Sequence, residues 1–285
     1  MIGIVTDSAS YIPTNIVKQY NIEVTALNVH FGQETFNEIT GISNQEFYRR
    51  LATADPFPTT SQPSAGQFQH AYQKILRQNP QAEILVLTIS SKLSGTYNSA
   101  LIAAEQLPEA KITVFDSLSA AMGLGLMVIT AAEMGSLGKS LAEIMNRLRQ
   151  MRVETRIVFM VDTLEYLKRG GRIGAAAAFL GTLLNAKPIL ALEAGELQPI
   201  DRVRTKKKAI ERLLQELEHK FPHPDHPIQA AVMHISAAIE ADHMVNLIQD
   251  RFKVTRFFIS EIGPVVGAHI GPGGLAVGIC PEPWT

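Results

Sequence analysis

Two clusters of hydroxyl side chains, Thr59-Thr60-Ser61 and Ser90-Ser91-Lys92-Leu93-Ser94-Gly95-Thr96, stand out in a sequence with little other catalytic hardware. Each falls where an extended run gives way to a turn or helix, so free backbone N–H and side-chain O–H groups can converge on one small anion. Helix capping accounts for the same residues: Ser94 as a cap with Gly95 making the turn, and Thr60 and Ser61 leading from the stiff Pro56-Phe57-Pro58 into Gln62-Pro63-Ser64. The occurrence of both clusters in one half of one sheet tilts the reading towards a head-group site. The second cluster is no P-loop, because Gly-x-x-x-x-Gly-Lys-Ser/Thr is absent. Asp7, after the first extended run, fits a turn-forming aspartate better than a metal or phosphate ligand. His269 stands alone in the glycine-rich stretch 263–274, read as a loop, with no Cys/His/Asp spacing beside it that would suggest a metal.

The elements that must position these groups alternate in type. Short β-branched runs at 2–6, 24–31, 84–89 and 112–115 read as strands between helices at 44–52, 65–78, 95–106, 118–137 and 140–152, the last with Ser140 as N-cap. That alternation is the pattern of a parallel, Rossmann-like sheet. From residue 156 the pattern changes to strands at 157–161, 189–192, 230–235 and 257–262, with helices at 205–220 and 239–252. We therefore expect two α/β domains, residues 1–152 and 153–285, the second built on a mixed sheet with helices. Three prolines in 221–227 forbid a helix there and mark a surface connector. The small and apolar residues of 174–184 suit either a tunnel wall or close helix packing.

Composition excludes several classes of function. The chain has 285 residues, 46% hydrophobic and 19% charged, with 26 basic against 27 acidic residues and a formal net charge of −1. There is no global attraction to nucleic acid or to anionic membrane, and any basic surface must be local. Two such runs exist, Lys168-Arg169-Gly170-Gly171-Arg172 and Arg202-Val203-Arg204-Thr205-Lys206-Lys207-Lys208, and they read as a docking patch or as a solvated face. The single cysteine, Cys280, rules out an internal disulfide and fits a small apolar residue near a strand end. Without a secretory leader or an apolar run long enough to span a bilayer, a cytoplasmic protein is expected.

Taken in order, Ile4-Val5-Thr6-Asp7-Ser8, Pro58-Thr59-Thr60-Ser61-Gln62-Pro63, Ile89-Ser90-Ser91-Lys92-Leu93-Ser94-Gly95-Thr96-Tyr97, Phe115-Asp116-Ser117, Gly170-Gly171-Arg172-Ile173 and Lys187-Pro188-Ile189-Leu190 resemble the DegV family of bacterial proteins. The segments 203–209 and 263–274 extend the resemblance over essentially the whole chain. It implies two α/β domains enclosing a long-chain fatty acid, such as palmitate, stearate or oleate, at their interface. It also implies kinship with the fatty-acid-binding subunits (FakB type) of bacterial fatty acid kinase, in which a separate ATP-dependent subunit phosphorylates the bound acid. Carried over position by position, Thr60, Ser94 and His269 resemble the carboxylate ligands, and Arg172 and Arg204 resemble positions associated with docking the kinase subunit. No catalytic residue, metal or cofactor is implied, and lipid would exchange transiently at a membrane surface. Ala186, where the family often has a larger apolar residue, departs from the pattern and bears on tail shape.

Elementary chemistry is consistent with that implication. Burying roughly sixteen methylenes at about 0.8 kcal/mol each contributes on the order of 13 kcal/mol against water. Against a bilayer the gain is small, because lipid already shelters the chain. Hydroxyl and imidazole donors hold a carboxylate while leaving oxygen lone pairs free, whereas a bidentate arginine would occupy both oxygens. A second reading, a free-standing serine hydrolase or acyltransferase using Ser94 and His269, lacks Gly-x-Ser-x-Gly and an orienting carboxylate. A DNA-binding regulator would need a reading helix and a basic groove, and neither is present.

Overall fold

The structure, a computed structural model, describes residues 2–180 and 186–283. In the first domain β1 (Ile2–Asp7), α1 (Thr14–Gln19), β2 (Glu23–Thr25), β3 (Asn28–Phe31), β4 (Glu34–Asn37), α2 (Asn44–Leu51), β5 (Thr59–Ser61) and α3 (Ala65–Gln78) follow one another. Then come β6 (Glu83–Thr88), α4 (Thr96–Glu105), β7 (Lys111–Asp116), α5 (Met122–Ser136) and α6 (Leu141–Glu154). The second domain begins with β8 (Arg156–Met160), α7 (Glu165–Arg169), a 3-10 segment (Gly174–Phe179), β9 (Lys187–Glu193) and β10 (Glu196–Val203). It ends with α8 (Lys206–Lys220), β11 (Ile228–His234), α9 (Ala238–Arg251), β12 (Val254–Glu261), α10 (Pro264–Ile270) and β13 (Leu275–Pro281).

Three sheets result. The first is parallel, ordered β2-β1-β6-β7; the second is mixed, ordered β10-β9-β8-β13-β11-β12, with only β11 and β12 parallel. A small antiparallel sheet, β4-β3-β5, stands apart from both. The fold class matches the sequence-based expectation: two α/β domains, one with a parallel and one with a mixed sheet. The helix expected at 65–78 is found at those residues, and Ser140 is the N-cap of α6 as expected; Ser64 and Ser140 both make capping boxes, with Gln67 and Glu143 respectively. Period-two alternation sorts β8, with Ile157 and Phe159 in the core between the sheets and Val158 and Met160 in the core under α8 and α9.

Four expectations need correcting. The run 24–31 is two strands in different sheets, because the Leu27 N–H turns to Ser8 Oγ (3.0 Å) and its carbonyl accepts the Glu38 N–H (3.0 Å), breaking the β2 ladder. The two hydroxyl clusters therefore do not share a sheet: Thr59–Ser61 is β5 of the small sheet, whereas Ser90–Thr96 follows β6 of the parallel one. The helix expected from 118 starts at Met122, because Asp116 Oδ1 and Ser117 Oγ take up the Leu118 and Ser119 N–H groups and Leu118 and Ala121 adopt left-handed φ of 48° and 49°. The stretch 263–274 holds a short helix, α10, opened by Pro264 at its first position and ended by Gly271 at φ 77°.

α5 lies between the domains. Residues Met122 to Ala132 are all buried, and the helix packs on β1 and β6 on one side and on β11 and β13 on the other. Its close approach depends on glycine: a Cβ at Gly123 would lie 2.2 Å from Ile157 Cδ1 and 2.4 Å from Ser119 Oγ. Gly123→Ala should therefore lower stability by up to about 2 kcal/mol, overpacking of about 1–3 kcal/mol being offset in part by the helix-propensity gain of about 1 kcal/mol. Urea unfolding checks this, and a raised midpoint would show that the interface yields without cost.

Candidate functional site

Off the start of α5 the two sheets enclose a cavity with about 970 Å³ of empty space, its mouth included. The first domain lines it with Leu27, Ile89, Ala120 and Ala121, the second with Ile157, Phe159, Leu192, Met233 and Val265. Ala276, a small residue on the facing surface of the mixed sheet, lines it as well. None of residues 174–180 lines this cavity, and the rest of the stretch read as a tunnel wall, 181–184, lies outside the described residues.

The polar lining is a single contiguous group: Thr60, Ser61, Gln62, Ser94, Arg172 and His269. Thr60 Oγ1 and His269 Nε2 are 2.9 Å apart, joining β5 of the first domain to α10 of the second. Ser94 lies on the turn after β6, its Oγ 2.8 Å from Thr96 Oγ1 and accepting the Thr96 N–H at 3.3 Å. Gly95, not Ser94, is the N-cap of α4, which has no side-chain cap; Ser94 only tightens the preceding turn, and its side chain remains partly exposed at the cavity. Gln62 packs on the same turn, its Nε2 2.8 Å from where a Cβ on Gly95 would sit. His30, absent from sequence reasoning, bridges Thr35 Oγ1 (2.8 Å) and Ser61 Oγ (2.9 Å), fixing the neighbour of Thr60.

Arg172 belongs to this pole. Its Nε donates to the Leu93 carbonyl at 3.1 Å and Nη1 to the Gly170 carbonyl at 2.8 Å, bracing the Ser94 turn from the second domain. Arg204 is exposed between β10 and α8, outside the cavity lining. An outer groove lined by Ser91, Lys92, Gly171, Gly174 and Glu196 shares Leu93, Ser94 and Arg172 with the cavity, so the polar pole also faces the surface.

Burial, assisted by the Arg172 charge, pushes the His269 imidazole down from 6.5 to about 4. Its Nδ1 is buried without a partner and lies 2.1 Å from where a Cβ on Gly170 would be. A proton on Nδ1 would be an unpaired buried donor, which favours the tautomer with the proton on Nε2. Nε2–H then donates to Thr60 Oγ1, and the threonine O–H is left to donate into the cavity. Asp7, whose carboxyl burial raises to about 7, accepts the Ile89 N–H (2.7 Å) and the Ala9 N–H (3.0 Å), anchoring the start of the Ser90–Ser94 turn to β1. That is the turn-forming role the sequence suggests. Among the described residues no cluster of His, Cys, Asp and Glu side chains could hold a metal ion, and no helix is long and apolar enough to cross a membrane.

Residues 1–282 match the family model described as an uncharacterised protein of the DegV family, and the chain belongs to that family. A DegV domain-containing protein of Clostridium perfringens is 34% identical over 285 residues, covering 99% of each chain. A Thermus thermophilus structure, described as showing fatty acid binding by a DegV family protein, aligns over 99% of both chains with a TM-score of 0.93 and 34% identity. A stearic-acid-binding protein of Eubacterium ventriosum aligns over 99% of this chain and 98% of its own, with a TM-score of 0.90 and 26% identity.

The depressed basicity of His269 gives a direct expectation. In ligand-free protein its ring carbon signals stay at neutral-imidazole positions down to about pH 5.5 and titrate near 4. Because the unfolded chain binds that proton more readily, His269 contributes stability that is full above about pH 6.5 and is lost as the pH falls towards 4. An NMR midpoint at or above 6 would show that the ring is solvated.

Proposed function

We propose that the protein is a non-catalytic carrier of long-chain fatty acid. The acyl tail occupies the apolar cavity, and the carboxylate lies against Thr60, Ser94 and His269. The observation that carries this reading is the cavity itself: apolar walls from both domains, closed by one polar group in which Thr60 and His269 meet at 2.9 Å. The fatty acid binding described for the Thermus relative and the stearic acid of the Eubacterium one support the ligand class. Neutral donors match a head group that must be held while a lone pair stays available. The arrangement favours this over hydrolysis, since His269 Nε2 engages Thr60, Ser94 engages Thr96, and His269 Nδ1 has no carboxylate to orient it.

We further propose that the carboxylate is presented, through the outer groove beside Ser94, to a separate ATP-dependent fatty acid kinase subunit, with Arg172 and Arg204 among the docking cations. Lipid enters and leaves by transient contact with a membrane surface. No nucleic acid takes part, and the cytoplasm is the compartment that fits an ATP-dependent partner.

Protein purified from a bacterial host should release close to one long-chain acid per chain on denaturation, measured by mass spectrometry of the extract. Repeated absence of lipid, together with failure of the delipidated protein to take up stearic acid, would overturn the carrier reading. For docking, Arg204→Glu is the cleaner variant, because Arg172 also braces the Ser94 turn. It should leave stearic acid uptake unchanged and slow acyl phosphate formation with the cognate kinase, most strongly at low salt, because exposed charges act mainly on encounter. Unchanged phosphorylation at low and physiological salt would assign Arg204 to a solvated face.

A further inference from the structure

We infer that Glu38 is the positioning residue that sets the His269 imidazole against Thr60, acting across the domain boundary through the first turn of α10. The use made of His269 rests on the carrier reading; the mechanical link does not. α10 has seven residues, Gly263 at its N-cap supplies no side-chain cap, and so short a helix takes its orientation from whatever holds its ends. Both of its leading N–H groups are taken up by the other domain. Val265 N–H donates to Glu38 Oε1 at 2.9 Å and Val266 N–H to Tyr11 Oη at 3.2 Å. Tyr11 Oη in turn donates to Glu38 Oε1 at 2.7 Å, and Ser8 Oγ donates to Glu38 Oε2. Val265 and His269 are four residues apart, so the turn that Glu38 grips lies directly beneath the turn that carries the imidazole.

The surroundings make this grip rigid. Tyr48 Oη donates to the Ile262 carbonyl at 2.7 Å, fixing the chain as it enters α10. A Cβ at Gly263 would lie 3.0 Å from Glu38 Oε1 and 2.9 Å from Tyr11 Cε1; one at Gly267 would lie 2.2 Å from Tyr48 Oη. The helix is therefore clamped against the first domain from its first residue to Thr60 at its last turn. Glu38 is 8% exposed and, among the described residues, forms no ion pair, so hydroxyl and helix N–H donors alone hold its carboxylate. Burial raises its pKa and those donors oppose the rise. A buried acid without a cation is costly to keep for stability alone, and here each of its donors belongs to the clamp.

The test uses delipidated full-length protein and reads the ring-nitrogen NMR signals of His269, identified by their loss in His269→Gln. In Glu38→Gln, which keeps the side-chain shape but exchanges an acceptor for a donor, and in Tyr11→Phe, these signals should move. In Glu133→Gln, which removes an interdomain ion pair to Arg256 on β12, they should stay. Stearic acid and stearyl alcohol are then compared as ligands. Glu38→Gln should reduce the preference for acid over alcohol by about tenfold, the effect of misplacing one charge-assisted hydrogen bond, while alcohol binding persists. Should Glu38→Gln fail to fold, Tyr11→Phe carries both measurements. Unmoved His269 signals in the variants that fold, or an equal movement in Glu133→Gln, would overturn the inference. Moved signals in a protein whose wild type shows no acid preference would instead overturn the carrier reading and leave the positioning role in place.

Discussion

α5 is buried on every side from Met122 to Ala132, and it holds the parallel and mixed sheets about one helix diameter apart, roughly 10 Å, along that length. The gap continues past its first residue, where Ala120 and Ala121 of the preceding turn supply too little bulk to fill it. The cavity is thus the unfilled extension of a spacer, and its walls are apolar because they are the inner faces of two sheets. Even the left-handed φ of 49° at Ala121 belongs to this geometry, since it turns the chain abruptly from the cavity floor into the helix. Such strained conformations cost about 1–3 kcal/mol and persist where the surrounding packing fixes them.

Much of the frame was legible in the sequence because it follows from local rules. Ser140 could be read as a helix N-cap, and the change from β-branched runs to amphipathic stretches pointed to both α/β domains. What was illegible depends on contacts between distant segments. Nothing near Leu27 says that Ser8 will take its N–H and break a strand in two. Thr60 and Ser94 could be singled out as hydroxyls after extended runs, but their approach to His269 and Arg172 requires the second domain to fold back over the first. Glu38 carries no signal at all. In sequence it is one more acid after a polar turn, and only the tertiary structure buries it against Ser8, Tyr11 and Val265.

The electrostatics of the polar pole follow from the same burial. Desolvation disfavours charge on His269, and Arg172 adds to that effect, so the ring sits neutral beside a fixed cation. The cation is not free to wander, because two carbonyls, of Leu93 and Gly170, hold the guanidinium. Positive potential therefore reaches the pole from a group whose hydrogen bonds are already committed in part to the backbone. The donors left to meet an anion there include the hydroxyls of Thr60 and Ser94. This differs from a bidentate arginine clamp, which gives stronger binding and occupies both oxygens of a carboxylate.

On the carrier reading, that difference decides what the site can select. The tail term is large against water and nearly cancels against a bilayer, so it cannot favour protein over membrane by much. Selection must then come from the few groups of the polar pole, where each hydrogen bond to a charged group is worth about 1.5–3 kcal/mol. Interactions of that size keep exchange with lipid reversible and still distinguish an acid from an alcohol or ester of equal length. They do so only if the donors are held in register, because a misplaced donor leaves a desolvated carboxylate oxygen unmatched. The clamp on α10 and the brace on the Ser94 turn both cross the domain boundary. The geometry of the pole is consequently a property of how the domains dock, and a head group that fits draws together the surfaces that enclose its own tail.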